Sequence, residues 1–253
     1  MSSKTLHSSE MLKRALFELP GGMPVSMEHL KGFAISRQLA HYYVQSGWLQ
    51  SLGGGYYLRV GDHLTEKGAV AALQDNGVKI HIGGKSALAL KGFTHYLSLG
   101  VETLTLYGHK TRKLPEWFEQ YYLVNLSNSV LFKEQDVLAE RLSVSRLDSE
   151  PNAPYVSEQE RAVLELLDLV PKQQALEEAR LIMEGLQSLR SKKMQELLKA
   201  CKKIKVKRLF WKVAEELHLP VIKKIDRHEI DFGSKSDYTL QGEKNLVLRN
   251  PNG

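Results

Sequence analysis

The spacing of apolar residues predicts three short helices at the start of the chain. In 9–19 apolar residues recur at helical spacing, and the Pro-Gly-Gly of 20–22 interrupts this pattern. Ser26 and Ser36 are each placed to cap a following helix, because a serine hydroxyl can accept hydrogen bonds from the free amides of a first turn. A tight turn near Gly32 separates these two helices.

The helix after Ser36 has two chemically different sides when its residues are placed at about 100° per residue. Its apolar side carries Leu39, Ala40, Tyr43 and Val44. The opposite side contains no acid and consists of hydrogen-bonding residues, namely Gln38, His41, Tyr42 and Gln45, with Arg37 at the margin. A helix that contacts base edges in the major groove needs such donors and acceptors. Taken alone, this pattern fits an ordinary helix with a solvated polar face better than it fits a recognition helix.

A glycine-rich hairpin is predicted directly after this helix. Gly47 ends the helix, and apolar runs at 48–52 and 56–60 flank three glycines at 53–55. A glycine tip can approach a phosphate backbone closely, and Arg59 could neutralise a phosphate there. Helix, turn, helix and hairpin follow in the order of a winged helix-turn-helix, so the combination favours binding of duplex DNA.

The middle of the chain is predicted to form a small mixed sheet. A helix over 65–76 precedes alternating apolar positions at 78–82 and 101–107, and shorter apolar runs follow at 121–126 and 130–132. The polar stretch from Ser143 to Pro154, with two prolines, is the best candidate for a linker.

The second half is predicted to be mainly helical. Ser157 and Glu160 fit a capping box, and Pro171 ends the helix that they begin. Further helices are predicted at 173–189, 192–203 and 206–217. The predicted fold class is therefore α+β, with a winged helix-turn-helix at 1–62, an α/β region at 63–150 and a basic, mainly helical C-terminal domain at 151–253.

Composition is that of an ordinary globular protein, with 42% hydrophobic and 25% charged residues. No stretch has the length of a membrane span, and the N-terminus lacks the apolar region of a secretory signal. The single cysteine, Cys201, excludes an internal disulfide. We therefore expect a cytoplasmic protein without a membrane partner.

Positive charge is concentrated late in the chain. The net charge is +6, and the stretch 190–227 carries 13 Lys and Arg against 4 Asp and Glu. A second, sequence-independent contact with the DNA backbone is predicted there, through Lys202, Lys203, Lys205, Lys207 and Arg208. A solvated lysine face explains this segment equally well.

The sequence contains no clear catalytic, metal or cofactor motif. The Gly-Lys-Ser of 84–86 lacks the earlier glycine of a phosphate loop, since position 79 is lysine. His81, His95 and His109 have irregular spacing without ligands at suitable offsets. The nearest candidates for a metal-dependent nuclease are Asp226, Glu229 and Asp231, which form a weak cluster. We expect neither an enzyme nor a bound cofactor or metal.

Six segments together resemble AbiEi-type antitoxins of bacterial type IV toxin-antitoxin systems. The segments are GWLQSLGGGYYLR (47–59), IHIGGKSALALKGFTHYL (80–97), LPEWF (114–118), ERAVLELLDLVP (160–171), VKRLFWKVAE (206–215) and DRHEIDFGS (226–234). They follow in the expected order and span most of the chain.

The resemblance implies a winged-helix regulator that binds inverted repeats in its own promoter and represses its operon. It also implies that the C-terminal domain counters a nucleotidyltransferase-like toxin without a stable complex. The alternative is a module that binds a partner protein and has no sequence-specific contact with DNA.

Overall fold

The computed structural model describes residues 20–93, 102–108, 111, 113–132, 143–150, 152–240 and 246–253, together with positions 10, 11, 13, 14, 17 and 18. Its N-terminal unit contains strand β1 (Val25–Ser26), helix α1 (Met27–Gly32), helix α2 (Arg37–Gln45) and strands β2 (Leu49–Gly53) and β3 (Tyr56–Arg59). The strands form an antiparallel sheet in the order β1-β3-β2. The described positions between 10 and 18 are helical.

Local signals in the sequence fix the two helices of this unit. The Ser26 hydroxyl accepts from the His29 amide at 3.2 Å, and the Ser36 hydroxyl accepts from the Leu39 amide at 3.2 Å. Both predicted caps are confirmed. Gly47, with φ +75°, ends α2 as predicted, because this left-handed conformation lets the following amide bond back to the Tyr43 carbonyl at 2.9 Å.

The N-terminal unit has a small core of its own. It lies between α1, α2 and the sheet, and its buried residues are Val25, Met27, Leu30, Ile35, Ala40, Tyr43 and Leu49. A second and much larger core includes Met23 and Tyr56 and extends through the rest of the fold. The DNA-binding candidate is therefore packed separately from most of the protein.

The larger part contains a five-stranded mixed sheet. The elements of this region are α3 (Glu66–Asp75), β4 (Ile80–Ile82), α4 (Gly84–Leu90), β5 (Leu104–Gly108), α5 (Glu116–Tyr121), β6 (Val124–Ser127), β7 (Val144–Arg146) and β8 (Tyr155–Ser157). The strand order in the sheet is β6-β5-β4-β8-β7. Strands β4 and β8 are parallel, as are β5 and β6, and the other pairs are antiparallel.

The prediction of a linker between Ser143 and Pro154 is wrong. Its stretch forms β7 and the turn into β8, and the Leu147 amide donates to the Pro154 carbonyl at 2.9 Å across this hairpin. Since β8 pairs with β4, the predicted boundary at 150/151 falls inside one continuous sheet. Polarity and prolines marked a turn here, and they could not distinguish a turn within a sheet from a connection between domains.

The C-terminal part is mainly helical, as predicted. Helices α6 (Gln159–Leu169), α7 (Leu176–Glu184), α8 (Ser191–Ala200) and α9 (Ile204–Glu216) are followed by 3₁₀ turns and a hairpin of β9 (Tyr238–Leu240) and β10 (Leu246–Leu248). The predicted capping box at the start of α6 is wrong, because Ser157 donates instead to the Glu165 carboxylate. No described helix combines the length and apolar character needed to cross a membrane.

Gly68 allows the chain before β1 to lie close against α3. A Cβ at this position would lie 2.5 Å from the Gly22 carbonyl oxygen and 2.9 Å from Met23 Cα, both of which are backbone atoms. Gly68→Ala should therefore lower the free energy of unfolding by ~1–3 kcal/mol through overpacking. Helix propensity alone would give a gain of about 1 kcal/mol.

Thermal and urea unfolding test this prediction, with Lys67→Ala as the matched control, because Lys67 is exposed on the same turn. A Gly68→Ala protein that is more stable than the wild type would contradict it.

Candidate nucleic-acid interface

Helix α2 presents one continuous polar face to solvent. Its exposed side chains are the five candidates predicted from the sequence: Arg37, Gln38, His41, Tyr42 and Gln45. Ala40 and Tyr43, on the other side, are buried in the small core. The side chains of His41 and Gln45 lie 3.2 Å apart, and Tyr42 is 58% exposed. The structure thus brings these five residues together on one accessible surface.

This surface has the charge that a polyanion requires. Between His29 and Gly61 the chain contains no Asp or Glu, whereas Lys31, Arg37 and Arg59 lie in the same stretch. Amide, imidazole and phenol groups can each donate or accept a hydrogen bond, and the guanidinium of Arg37 can contact phosphate. The face can therefore contact both base edges and the backbone of a duplex.

The hairpin tip lies against the body of the protein. Gly53, Gly54 and Gly55 all adopt positive φ, as the tight turn requires. A Cβ at Gly54 would lie 3.8 Å from Trp117 on α5, and the rings of Tyr56 and Trp117 have centroids 5.1 Å apart. One side of the tip therefore makes an intramolecular contact, although sequence alone suggested a role only at the phosphate backbone.

Arg59 is held by a neighbouring carboxylate. Its Nε donates to Asp62 Oδ1 at 3.0 Å, and the other oxygen of Asp62 accepts from the Gly22 amide at 3.1 Å. This arrangement ties the end of the hairpin to the chain before β1. A phosphate contact by Arg59 would have to compete with this ion pair.

Most of the late basic cluster has structural partners. Lys203 lies 2.6 Å from Asp168 Oδ1 and also donates to the Ser129 hydroxyl. Lys205 donates to the carbonyls of Asp168 and Val170 at 2.7 Å each, at the C-terminal end of α6. A helix C-terminus with free carbonyls favours a cation, so this lysine completes the helix.

Lys207 and Arg208 are each only 2% exposed, and the prediction that they contact DNA is wrong. Arg208 donates to the carbonyls of Phe232, Ser236 and Leu248 at 2.8, 2.8 and 3.1 Å, and also to that of Ser234. Lys202 is exposed and is available for a phosphate contact. The charge run in the sequence showed where cations lie along the chain but not which of them face inward.

The other candidate groups take part in local structure. Asp226 caps the His228 amide, Glu229 pairs with Lys199 at 3.1 Å, and Asp231 accepts from the Gly233 amide. Burial raises the pKa of the Cys201 thiol to about 11, so this cysteine is not an activated nucleophile. Among the described residues no group of three or more His, Cys, Asp or Glu is arranged to hold a metal, and His95 and His109 lie outside them.

One highly connected buried group was missed from the sequence. Glu165 on α6 is fully buried, and its carboxylate contacts the side chains of His81 at 2.9 Å, Arg161 at 2.7 Å and Ser157 at 2.8 Å. The Gly84 amide donates to it at 3.1 Å. Only the Arg161–Glu165 spacing, one helical turn, was visible in the sequence.

Gly83 makes room for this carboxylate. A Cβ there would lie 2.4 Å from Glu165 Oε2, so a larger residue at position 83 would displace the carboxylate. Burial by itself would raise the pKa of Glu165, but His81 and Arg161 lower it to about 2. The network is filled by the protein's own groups and has the character of a structural site.

Comparisons with known proteins agree with this architecture. One solved structure, the crystal structure of the RV2827C protein from Mycobacterium tuberculosis, matches with a TM-score of 0.57 at 13% identity, and the match covers 96% of this chain and 91% of that one. At this identity the likeness concerns the fold. No curated protein matches the sequence.

Two family models match consecutive parts of the chain. Residues 8–99 match the N-terminal domain of the AbiEi antitoxin transcriptional regulators, and residues 101–245 match the AbiEi antitoxin transcriptional regulator of type IV toxin-antitoxin systems. The chain therefore belongs to the AbiEi family of transcriptional regulators and antitoxins of type IV toxin-antitoxin systems.

Proposed function

We propose that the protein represses its own operon by binding inverted repeats in the promoter through the exposed face of α2. One observation carries this proposal, namely that five polar or basic side chains project from one helix face within a stretch free of acids. A helix of nine residues on a separate small core can enter the major groove while the rest of the protein stays outside.

The proposed contacts divide by chemistry. Gln38, His41, Tyr42 and Gln45 face the bases, where amide groups can bond bidentately to adenine. Arg37, at the first turn of α2, contacts a phosphate and sets the register of the helix on the duplex. Lys202 can add a contact outside the groove, whereas Arg59 remains paired with Asp62.

Removing one group of each kind should give two different results. Gln38→Ala should weaken binding to the protein's own promoter by about tenfold and reduce discrimination against unrelated DNA, because a base contact is lost. Arg37→Ala should weaken binding to both DNAs and reduce the slope of log affinity against log salt by about one. Fluorescence anisotropy over a salt series measures both effects.

Lys192→Ala is the control, since Lys192 is exposed on α8 and its removal lowers the net charge by one, as Arg37→Ala does. If both α2 variants bind the promoter as tightly as this control, the assignment of α2 to the groove is wrong. Salt-independent DNA binding together with a stable complex with the toxin would favour the partner-binding alternative.

We further propose that the chain acts in the cytoplasm as the antitoxin against a nucleotidyltransferase-like toxin, without forming a stable complex. Membership in the AbiEi family supports the antitoxin role. Co-expression with a nucleotidyltransferase-like toxin of a type IV system tests it. Growth should be restored by the wild type and also by Gln38→Ala, if the C-terminal part provides antitoxicity independently of operator binding.

A further inference from the structure

The tip of the hairpin connects the two cores of the protein. Trp117 on α5 is 2% exposed and belongs to the large core. Its ring lies beside Gly54 and makes a tilted contact with Tyr56 on β3. The side-chain amide of Asn76, just after α3, donates to the Tyr56 hydroxyl at 2.8 Å. Two parts of the body, α5 and the end of α3, therefore contact the hairpin.

The same tip also holds the first helix of the N-terminal unit. The Met27 amide, at the start of α1, donates to the Gly55 carbonyl at 2.7 Å. A Cβ at Gly55 would lie 3.8 Å from the Met27 side chain. A continuous set of contacts thus leads from Trp117 through the tip to α1, which precedes α2 by a short turn.

The N-terminal unit is packed less tightly against α3. There an open cleft of about 350 Å³ lies between β1 and α1 on one side and the last turns of α3 on the other. Its lining includes Pro24, Glu28, Asp75 and Asn76. Close backbone contact between α3 and the chain just before β1 occurs at Gly68 and Gly22, at the other end of α3. The Thr65 amide and hydroxyl also donate to the Gly22 carbonyl, at 3.0 and 3.2 Å. The hairpin tip is therefore a second point, away from Gly22, at which the unit is fixed to the body.

We propose that Trp117 is a positioning residue that fixes the direction of α2 relative to the body through the hairpin tip. The inference rests on the proposed function and deepens it. Binding to inverted repeats requires two copies of α2 at a spacing and angle set by the half-sites. A loosely held unit can still bind one half-site, but it loses affinity for two because the ordering cost rises.

The variant Trp117→Leu keeps an apolar side chain in the core but removes the ring beside Gly54 and Tyr56. We expect it to weaken binding to promoter DNA carrying both repeats by about tenfold and to weaken binding to one isolated repeat by less than about threefold. Trp117→Phe, which retains a ring, should restore binding to both repeats. Equal losses on the two DNAs would overturn the proposal, since they indicate general destabilisation.

A second measurement does not depend on DNA binding. Spin labels are attached at Lys31→Cys on α1 and Lys192→Cys on α8, because both positions are exposed. The native Cys201 is buried and therefore protected from labelling. The distance distribution between the two labels should be narrow in the wild type and with Trp117→Phe, and broad with Trp117→Leu. An unchanged distribution with Trp117→Leu would overturn the positioning role.

These outcomes separate the two proposals. If the wild type does not bind its promoter, the proposed function fails, and the spin-label distances alone decide the role of Trp117. If Trp117→Leu does not fold, Tyr56→Leu removes the same ring contact from the other side and is judged by the same two measurements.

Discussion

Replacement of Glu165 by alanine is expected to lower the free energy of unfolding by ~3–5 kcal/mol, because it leaves buried charge without its partner. The carboxylate contacts Arg161, His81, Ser157 and the Gly84 amide, and no part of its side chain is exposed. After its removal the guanidinium of Arg161 remains in the core, where hydration cannot compensate it. Chemical denaturation with far-UV circular dichroism measures the loss.

Glu165→Gln tests whether charge or shape is responsible. The amide fills the same space and can still accept one bond, but it cannot neutralise Arg161, so most of the loss should remain. Glu196→Ala is the matched control, since Glu196 is exposed on α8 and should change stability by less than about 0.5 kcal/mol. A Glu165→Gln protein as stable as this control would contradict the electrostatic explanation.

Acid should remove the same stabilisation. In the folded protein the pKa of Glu165 is about 2, below the ordinary value of 4.5. The unfolded chain therefore binds this proton first as the pH falls, and the stabilisation present above pH 4.5 decreases progressively toward pH 2. The stability of Glu165→Gln should depend less on pH over this window than that of the wild type.

Arg208→Met should release the C-terminal hairpin and lower the free energy of unfolding by about 3 kcal/mol. The buried guanidinium donates to carbonyls in the segment after Ile230, including those of Phe232 and Leu248. Methionine has a similar length and keeps the apolar stem packed, so the loss reports on the hydrogen bonds. We expect the segment 232–248 to become sensitive to limited proteolysis.

Lys212→Met is the control, because Lys212 lies one turn further along α9 and makes only a half-exposed pair with Glu216. It should leave both stability and the cleavage pattern close to those of the wild type. Equal protection of the tail in Arg208→Met and Lys212→Met would show that packing, and not the guanidinium, holds the hairpin.

Sequence predicted the features that depend on neighbours along the chain. The serine caps, the glycine that ends α2 and the glycine hairpin each depend on residues within a few positions, and all are present. The approximate positions of α8 and α9 followed from apolar spacing alone. The exposed face of α2 could be derived in the same way, because burial of Ala40 and Tyr43 determines where the polar residues point.

Features that depend on distant contacts could not be predicted. Glu165 and His81 are 84 positions apart, and neither residue type indicates a buried network by itself. The lysine-rich segment had the composition of a DNA-binding surface, yet Arg208 lies inside because its carbonyl partners come from the segment after it. The mistaken linker has a similar cause, since only pairing with β4 makes β8 part of the sheet.

The separation of the two cores has an evolutionary consequence. Gln38, His41 and Gln45 belong to neither core, and substitutions at such exposed positions usually change stability by only about 0.5 kcal/mol. Mutations can therefore alter the proposed operator preference without bringing the protein near its stability threshold. A promoter and its regulator could drift together into new pairs, so that related systems in one cell stay insulated from each other while the antitoxin body is retained.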